Sequence, residues 1–130
     1  MIDYSFDRPI SPEQLKVLLG QTDWANYRDI TGIQAMLKGT AVVLGVWEEV
    51  QLIGFARVIS DGIYRALIDD VVIDASKRGQ GIGSELMRKL LERLTAMKVE
   101  EIFLRCGDNV VPFYQRFGFE KTGVEVLDLS

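Results

Sequence analysis

Arg78-Gly79-Gln80-Gly81-Ile82-Gly83 has the make-up of a cradle for a polyanion. Three glycines at alternate positions leave main-chain N–H groups unshielded by side chains, so phosphate oxygens can come close. Ser84 to Leu94 follows with apolar residues at helical spacing, and the positive N-terminal end of such a helix opens onto the same spot. Upstream, Ala66 to Ile73 is β-branched and apolar apart from Asp69 and Asp70, the pattern of a strand feeding the loop. A Walker loop would end in Gly-Lys-Ser/Thr, which does not occur here, and the dinucleotide fingerprint would need a glycine where Ser84 stands. What remains is Arg/Gln-x-x-Gly-x-Gly/Ala, satisfied by Arg78, Gly81 and Gly83. The plainer alternative is a glycine-rich strand-to-helix turn with no ligand.

Composition narrows the setting. At 130 residues, with 48% hydrophobic and 26% charged residues, the chain suits one globular domain over residues 1–130. A net charge of −4 argues against general nucleic-acid or anionic-membrane binding. Lys77 and Arg78 nonetheless gather positive charge at the loop. The single cysteine, Cys106, precludes an internal disulfide framework and reads as a buried strand residue. No histidine is present, which removes the commonest general base, the histidine-activated nucleophiles and most transition-metal sites, so no metal is expected. No apolar run is long enough to span a bilayer and no signal-peptide pattern opens the chain, so a cytoplasmic location is expected.

The elements that must position the loop read as follows. Ile2 to Phe6 is a short strand, and Ser11-Pro12-Glu13-Gln14 starts a helix through a capping box and buries Leu15, Leu18 and Leu19. A second helix runs from about Asp29 to Lys38. Ala41 to Trp47 and Leu52 to Ile59 form a hairpin, and Leu67 to Ile73 leads into the cradle. The helix from Gly83 to about Met97 buries Leu86, Leu90, Leu94 and Met97, with Glu85–Lys89 and Arg88–Glu92 pairs on its wet side. Glu101 to Cys106 is a strand and Val110 to Arg116 a short helix. Phe119 to Lys121 and Val124 to Leu129 read as closing strands. The expectation is an α+β domain: a mixed, mostly antiparallel sheet of about six to seven strands flanked by about four helices, with a parallel crossover from Leu67 to Cys106.

A second motif lies downstream, Phe113-Tyr114-x-x-x-Gly118-Phe119. Together with the Arg78–Gly83 loop, in this order and at this distance, it resembles the GNAT superfamily of acetyl-CoA-dependent N-acetyltransferases. The resemblance covers roughly Gln51 to Phe119. A weaker similarity links Leu67 to Phe119 to the aminosugar-phosphate acetyltransferases. Thr22-Asp23-Trp24-Ala25 with Arg57 to Asp61 is similar to the arylalkylamine acetyltransferases. The resemblance implies acetyl-CoA as co-substrate, with main-chain groups of Val71, Val72 and Ile73 on its acetyl and pantetheine portion. It implies that Arg78, Gly79, Gln80, Gly81, Ile82, Gly83 and Ser84 hold the pyrophosphate, with Asn109 and Phe113 toward the pantetheine arm. Tyr114 stands where the family commonly places the general acid for the departing thiolate.

Acetyl transfer to an amine needs a neutral nucleophile, a place for the oxyanion and a proton for the sulfur. Strand-edge N–H groups meet the second demand and a phenol the third. Without histidine, Asp69 and Asp70 are the candidate bases, and strict strand alternation sends them to opposite faces. The other reading keeps both acids structural, the amine binding in its minor neutral form. Trp24, Tyr27, Tyr64 and Arg65 could line an acceptor pocket or simply pack. The expected partner is a small-molecule primary amine, acetylated directly with no covalent acyl-enzyme, and homodimerisation stays open. A protein or peptide amine, and a non-catalytic acyl-CoA-binding or interaction module on the same fold, are the alternatives.

Overall fold

The computed structural model describes residues 1–129, and Ser130, the last residue of the expected domain, lies outside the described residues. The elements run β1 (Ile2–Ser5), α1 (Pro12–Leu19), α2 (Ile30–Gly39), β2 (Val42–Glu48), β3 (Gln51–Ser60), β4 (Arg65–Ile73), α3 (Ile82–Ala96), β5 (Glu101–Leu104) and α4 (Val111–Gln115). Short 3-10 turns at Ala75–Lys77 and Asp108–Val110 precede α3 and α4. The strands form one five-stranded sheet in the order β1-β2-β3-β4-β5. The first four pair antiparallel, and β4 pairs β5 in parallel across the α3 crossover. This is the expected α+β class.

Alternation along the strands feeds two cores. On one face α3 sets Leu86, Met87, Leu90 and Leu94 against Leu44, Val46, Ala56 and Ile68. On the other, Leu15, Leu18 and Leu19 of α1 and Ile33 of α2 pack on Trp47, Phe55 and Val72. Each such side chain contributes roughly 1.5–3 kcal/mol by leaving water.

The helix ends show local chemistry at work. Ser11 Oγ accepts from Gln14 N at 3.2 Å, capping α1, while Asp29 Oδ1 accepts from Gly32 N at 2.8 Å, capping α2. The expected capping box at Ser11 is not completed. Gln14 instead accepts from Leu52 N at 2.6 Å and donates to Val50 O at 3.1 Å, fastening α1 to the β2–β3 turn. On α3, Arg88 pairs with Glu85 at 2.9 Å rather than with Glu92.

A bulge in β4 corrects the alternation expected at the two acids. Phe55 faces Val72 and Arg57 faces Asp69, so Asp70 and Val71 together oppose the single residue Ala56. Asp70 takes a left-handed φ of 53° to do this. Ile68, before the bulge, belongs to the α3-side core, and Val72, after it, to the α1/α2-side core. Asp69 and Asp70 therefore both reach Arg57 on one face instead of pointing to opposite faces.

The closing strands do not form, which leaves five strands instead of six or seven. Residues 119–129 hold no regular structure, and Val124, Val126, Leu127 and Leu129 are exposed. Gly118 and Gly123 take φ of 97° and 78°, turning the chain at both ends of the first expected strand. Among the described residues no strand pairs with this segment, although Asp128 reaches Arg105, just past β5, at 3.3 Å. Strand β5 also ends early, at Leu104, and Cys106 is exposed beyond it rather than buried in a strand.

Candidate active site

The site begins where β4 outruns its neighbour. The parallel pairing ends at Ile68↔Leu104, while β4 continues through the bulge to Ile73. From Asp69 onward the β5 side of β4 has no strand partner among the described residues, which leaves that edge beside a gap. A cleft of about 450 Å³ occupies the gap, with Val71, Val72 and Ile73 on one wall.

The cradle forms the floor of this cleft. Gly79 and Gly81 both take φ of 80°, and a Cβ built on either would meet nothing within 4 Å. The turn therefore demands glycine by its backbone, and the space above it is open. Gly81 is the N-cap of α3 and supplies no side-chain cap. Glu85 N is the first to close onto the helix, on Gly81 O at 3.1 Å. Ahead of it the N–H groups of the first turn have no acceptor among the described residues, and the helix dipole aims through them. Arg78 lies beside them, its Nε on Ile73 O at 3.3 Å. Arg116 closes the rim, donating to Ser84 Oγ at 3.2 Å.

The opposite wall is α4. Pro112 sits in its first turn, where a missing N–H costs nothing. Edge-to-face contacts of Phe113 with Tyr114 and Phe117, at centroid distances of 5.1 and 5.3 Å, and of Tyr114 with Phe119 at 6.2 Å, fix the helix. Tyr114 reaches the cleft with a hydroxyl that has no hydrogen-bond partner among the described residues. Burial, and secondarily the neighbouring Cys106, pushes its phenol up to about 12. The group thus holds its proton through the neutral range, as a donor must.

The acids behind the cleft have unequal duties. Asp70 is 1% exposed, and its Oδ2 accepts from Arg57 Nε at 2.6 Å and Arg28 NH1 at 2.7 Å. Burial pushes its carboxyl up, but the hydrogen bonds from Arg28 and Arg57 outweigh this and hold it below the ordinary value. A carboxylate so held is a weak base, so Asp70 ties the α1–α2 connection to the sheet rather than fitting the expected base. Its Oδ1 is buried without a partner. Asp69 is 25% exposed and makes only a 3.4 Å contact to Arg57.

Removing the Asp70 carboxylate strands two guanidiniums. Asp70→Ala is expected to lose about 3–5 kcal/mol of unfolding free energy in chemical denaturation, against under about 1 kcal/mol for Asp69→Asn. Because the folded value of Asp70 is depressed, its contribution is complete above the unfolded value of ~3.9. It is lost as pH falls through the folded value, so Asp70→Ala should flatten the acid limb of the stability profile. Equal losses from both variants would contradict the assignment.

Most of the expected residues gather here. Val71, Val72, Ile73, Arg78, Gly79, Gly81, Ile82, Gly83, Ser84, Phe113 and Tyr114 line one cleft. Gln80 and Asn109 are exposed and do not line it; Val110 stands where Asn109 was expected. The four residues considered for an acceptor pocket separate. Trp24 lines the cleft and Tyr27 a second cavity, while Tyr64 and Arg65 are exposed at the far end of β4, with Arg65 paired to Glu100 and Glu101. Arg116 and the Arg28–Asp70–Arg57 cluster were not anticipated. Their contacts join residues 13 to 42 positions apart, which no local spacing announces.

The fold thus sets an uncapped α3 behind a glycine turn and a free β4 edge opposite α4. Residues 7–128 match the acetyltransferase (GNAT) domain, and the chain belongs to that family. The histone acetyltransferase TAP1 of Glycine max is 31% identical over 130 residues, covering 92% of this chain and 56% of that protein. The chain therefore spans little more than half of that relative. A solved candidate acetyltransferase from Deinococcus radiodurans R1 superposes with a TM-score of 0.81 at 32% identity, covering 98% of this chain and 87% of the other. An aminoglycoside 6'-N-acetyltransferase solved with coenzyme A gives a TM-score of 0.66 at 26% identity, over 80% and 60% of the two chains.

Proposed function

We propose that this chain is an N-acetyltransferase that moves the acetyl group of acetyl-CoA directly to a primary amine of a small molecule. The observation that carries the reading is the single cleft joining an unpaired strand edge, an uncapped helix start and an unpartnered phenol. The residues fit such a co-substrate: open space stands above Gly79 and Gly81, and the unspent N–H groups there suit a pyrophosphate. When bound, acetyl-CoA supplies the activated thioester.

The chain's own groups divide the remaining work. The N–H groups of the first α3 turn, with Arg78 and Arg116 at the rim, bind phosphate oxygens. The free β4 edge at Val71–Ile73 orients an extended arm and offers N–H groups to a developing oxyanion. Tyr114 Oη donates its proton to the departing sulfur. Asp69 takes the proton from the amine, through water where it does not touch the amine directly. No cysteine nucleophile enters the route, because Cys106 is exposed beyond β5 and its thiol is raised by partial desolvation and by Asp108.

The test is thiol release from acetyl-CoA across a panel of amines. Lysine peptides belong in the panel because the relative TAP1 is named a histone acetyltransferase. At least one small amine should release thiol with stoichiometric N-acetyl product. Cofactor binding without turnover on any member would instead favour a non-catalytic acyl-CoA-binding module.

A further inference from the structure

A second cavity, about 420 Å³, opens between the start of α2 and β3, lined by Tyr27, Arg28, Asp29, Gly32, Met36 and Arg57. It is separate from the cofactor cleft but adjoins it through one residue. Asp70 bonds to Arg28 and Arg57 on this side, while the next residues, Val71 and Val72, line the cleft. A molecule seated here lies beside the strand segment that would face the acetyl group.

The two guanidiniums have donors to spare. Each carries five N–H bonds in a planar fork. Arg28 directs only NH1 to Asp70 Oδ2, at 2.7 Å. Arg57 directs Nε to that same oxygen at 2.6 Å, and NH2 to Asp69 at 3.4 Å. Both acids are approached singly, with no two-pronged pairing to one guanidinium. The side chains are 22% and 15% exposed, and both border the cavity. Donors that face a cavity can take an acceptor from it, and a planar anion meets a guanidinium fork best.

Charge sets how much anion fits. Two guanidiniums meet Asp70, Asp69 pairs with Arg57 at 3.4 Å and Asp29 stands exposed at the rim, so an anion here is held by directed donors rather than by a surplus of positive charge. A monoanion meets less repulsion from these acids than a dianion does. Met36, Gly32 and the Tyr27 ring supply an apolar wall for the rest of the molecule.

We propose that this cavity is the acceptor site and that the acceptor is an amine bearing a carboxylate, held through that carboxylate by Arg28 and Arg57. The proposal rests on the acetyltransferase reading. It names the substrate class as amino-acid-like rather than a plain alkyl or arylalkyl amine.

Matched pairs test it: phenylalanine against phenethylamine, with glucosamine 6-phosphate as the dianionic arm, each at saturating acetyl-CoA. The carboxylated amine should show a kcat/KM about 10–100-fold above its partner, the range for one charge-assisted pairing. Arg28→Gln, which keeps Arg57 on Asp70, should bring the ratio to within about threefold by raising the KM for phenylalanine, with the KM for acetyl-CoA unchanged; Arg28→Lys should recover part of it. Equal rates within the wild-type pair, a preference for the phosphate, or an unchanged ratio in Arg28→Gln would overturn the proposal. Titration of phenylalanine followed by NMR separates the two readings. If no amine releases thiol, the acetyltransferase reading falls. Saturable binding abolished by Arg28→Gln then still supports the cavity assignment, and absence of binding overturns it.

Discussion

Tyr114→Phe is expected to fold normally, bind acetyl-CoA as well as the wild type, and turn over about 10²–10⁴-fold more slowly, the range for one positioned proton donor. The substitution keeps the ring, and with it the contacts to Phe113 and Phe119 that hold α4. What disappears is a hydroxyl that has no partner among the described residues, so no internal bond is broken. The raised phenol carries a pH signature as well. As a proton donor Tyr114 would act in its protonated form, and with its phenol pushed up to about 12 its own ionisation would take nothing from the wild-type rate between pH 7 and 10. A descending limb in that window must come from another group, and it should persist in Tyr114→Phe. Single-turnover measurements isolate the chemical step from product release, which could otherwise mask the loss. A variant matching the wild type in that step would remove Tyr114 from the proton path.

Gly81→Glu is expected to abolish the rise in melting temperature that acetyl-CoA gives the wild type. At ligand concentrations 100-fold above Kd that rise corresponds to about 2.7 kcal/mol, several degrees in a domain of this size. The new side chain would enter open space, since nothing lies within 4 Å of the Cβ position. Its structural cost is confined to the left-handed backbone, about 1–2 kcal/mol, so the variant should still fold. Its carboxylate would stand over the N–H groups meant for the pyrophosphate, blocking and repelling it. Gly81→Ala carries the same backbone cost without charge and should keep part of the shift. A full shift in Gly81→Glu would move the cofactor site away from this loop.

What could be read from the sequence was what is written contiguously in it. The cradle, the strand before it and the helix after it occupy one unbroken run, and their local spacing carries their geometry. Tyr114 was legible for the same reason, standing within a short motif on one small helix. The failures are contacts that spacing does not encode. Strand alternation assigned Asp69 and Asp70 to opposite faces, but one extra residue in β4 put both against Arg57. The capping pattern at Ser11 was correct for the serine. Gln14 found stronger partners in the hairpin, 36 and 38 residues away. The Val124–Leu129 alternation was a sound strand pattern, yet no strand pairs with it among the described residues, and its apolar side chains stay exposed. Nothing in the sequence near Arg28 pointed to a partner 42 residues on.

The bare start of α3 bears on how stable such a domain can become. A capping side chain gains only about a few tenths of a kcal/mol over glycine at a helix start. At position 81 it must also adopt the left-handed backbone, which costs most residues about 1–2 kcal/mol and asparagine least. Glycine leaves the first turn of a 15-residue helix without a side-chain cap, yet it is the residue this backbone holds most cheaply. Scaffold stability and an open cleft therefore ask for the same residue, so thermostabilising libraries for this chain should hold Gly81 fixed and draw their gains from surfaces away from the cleft.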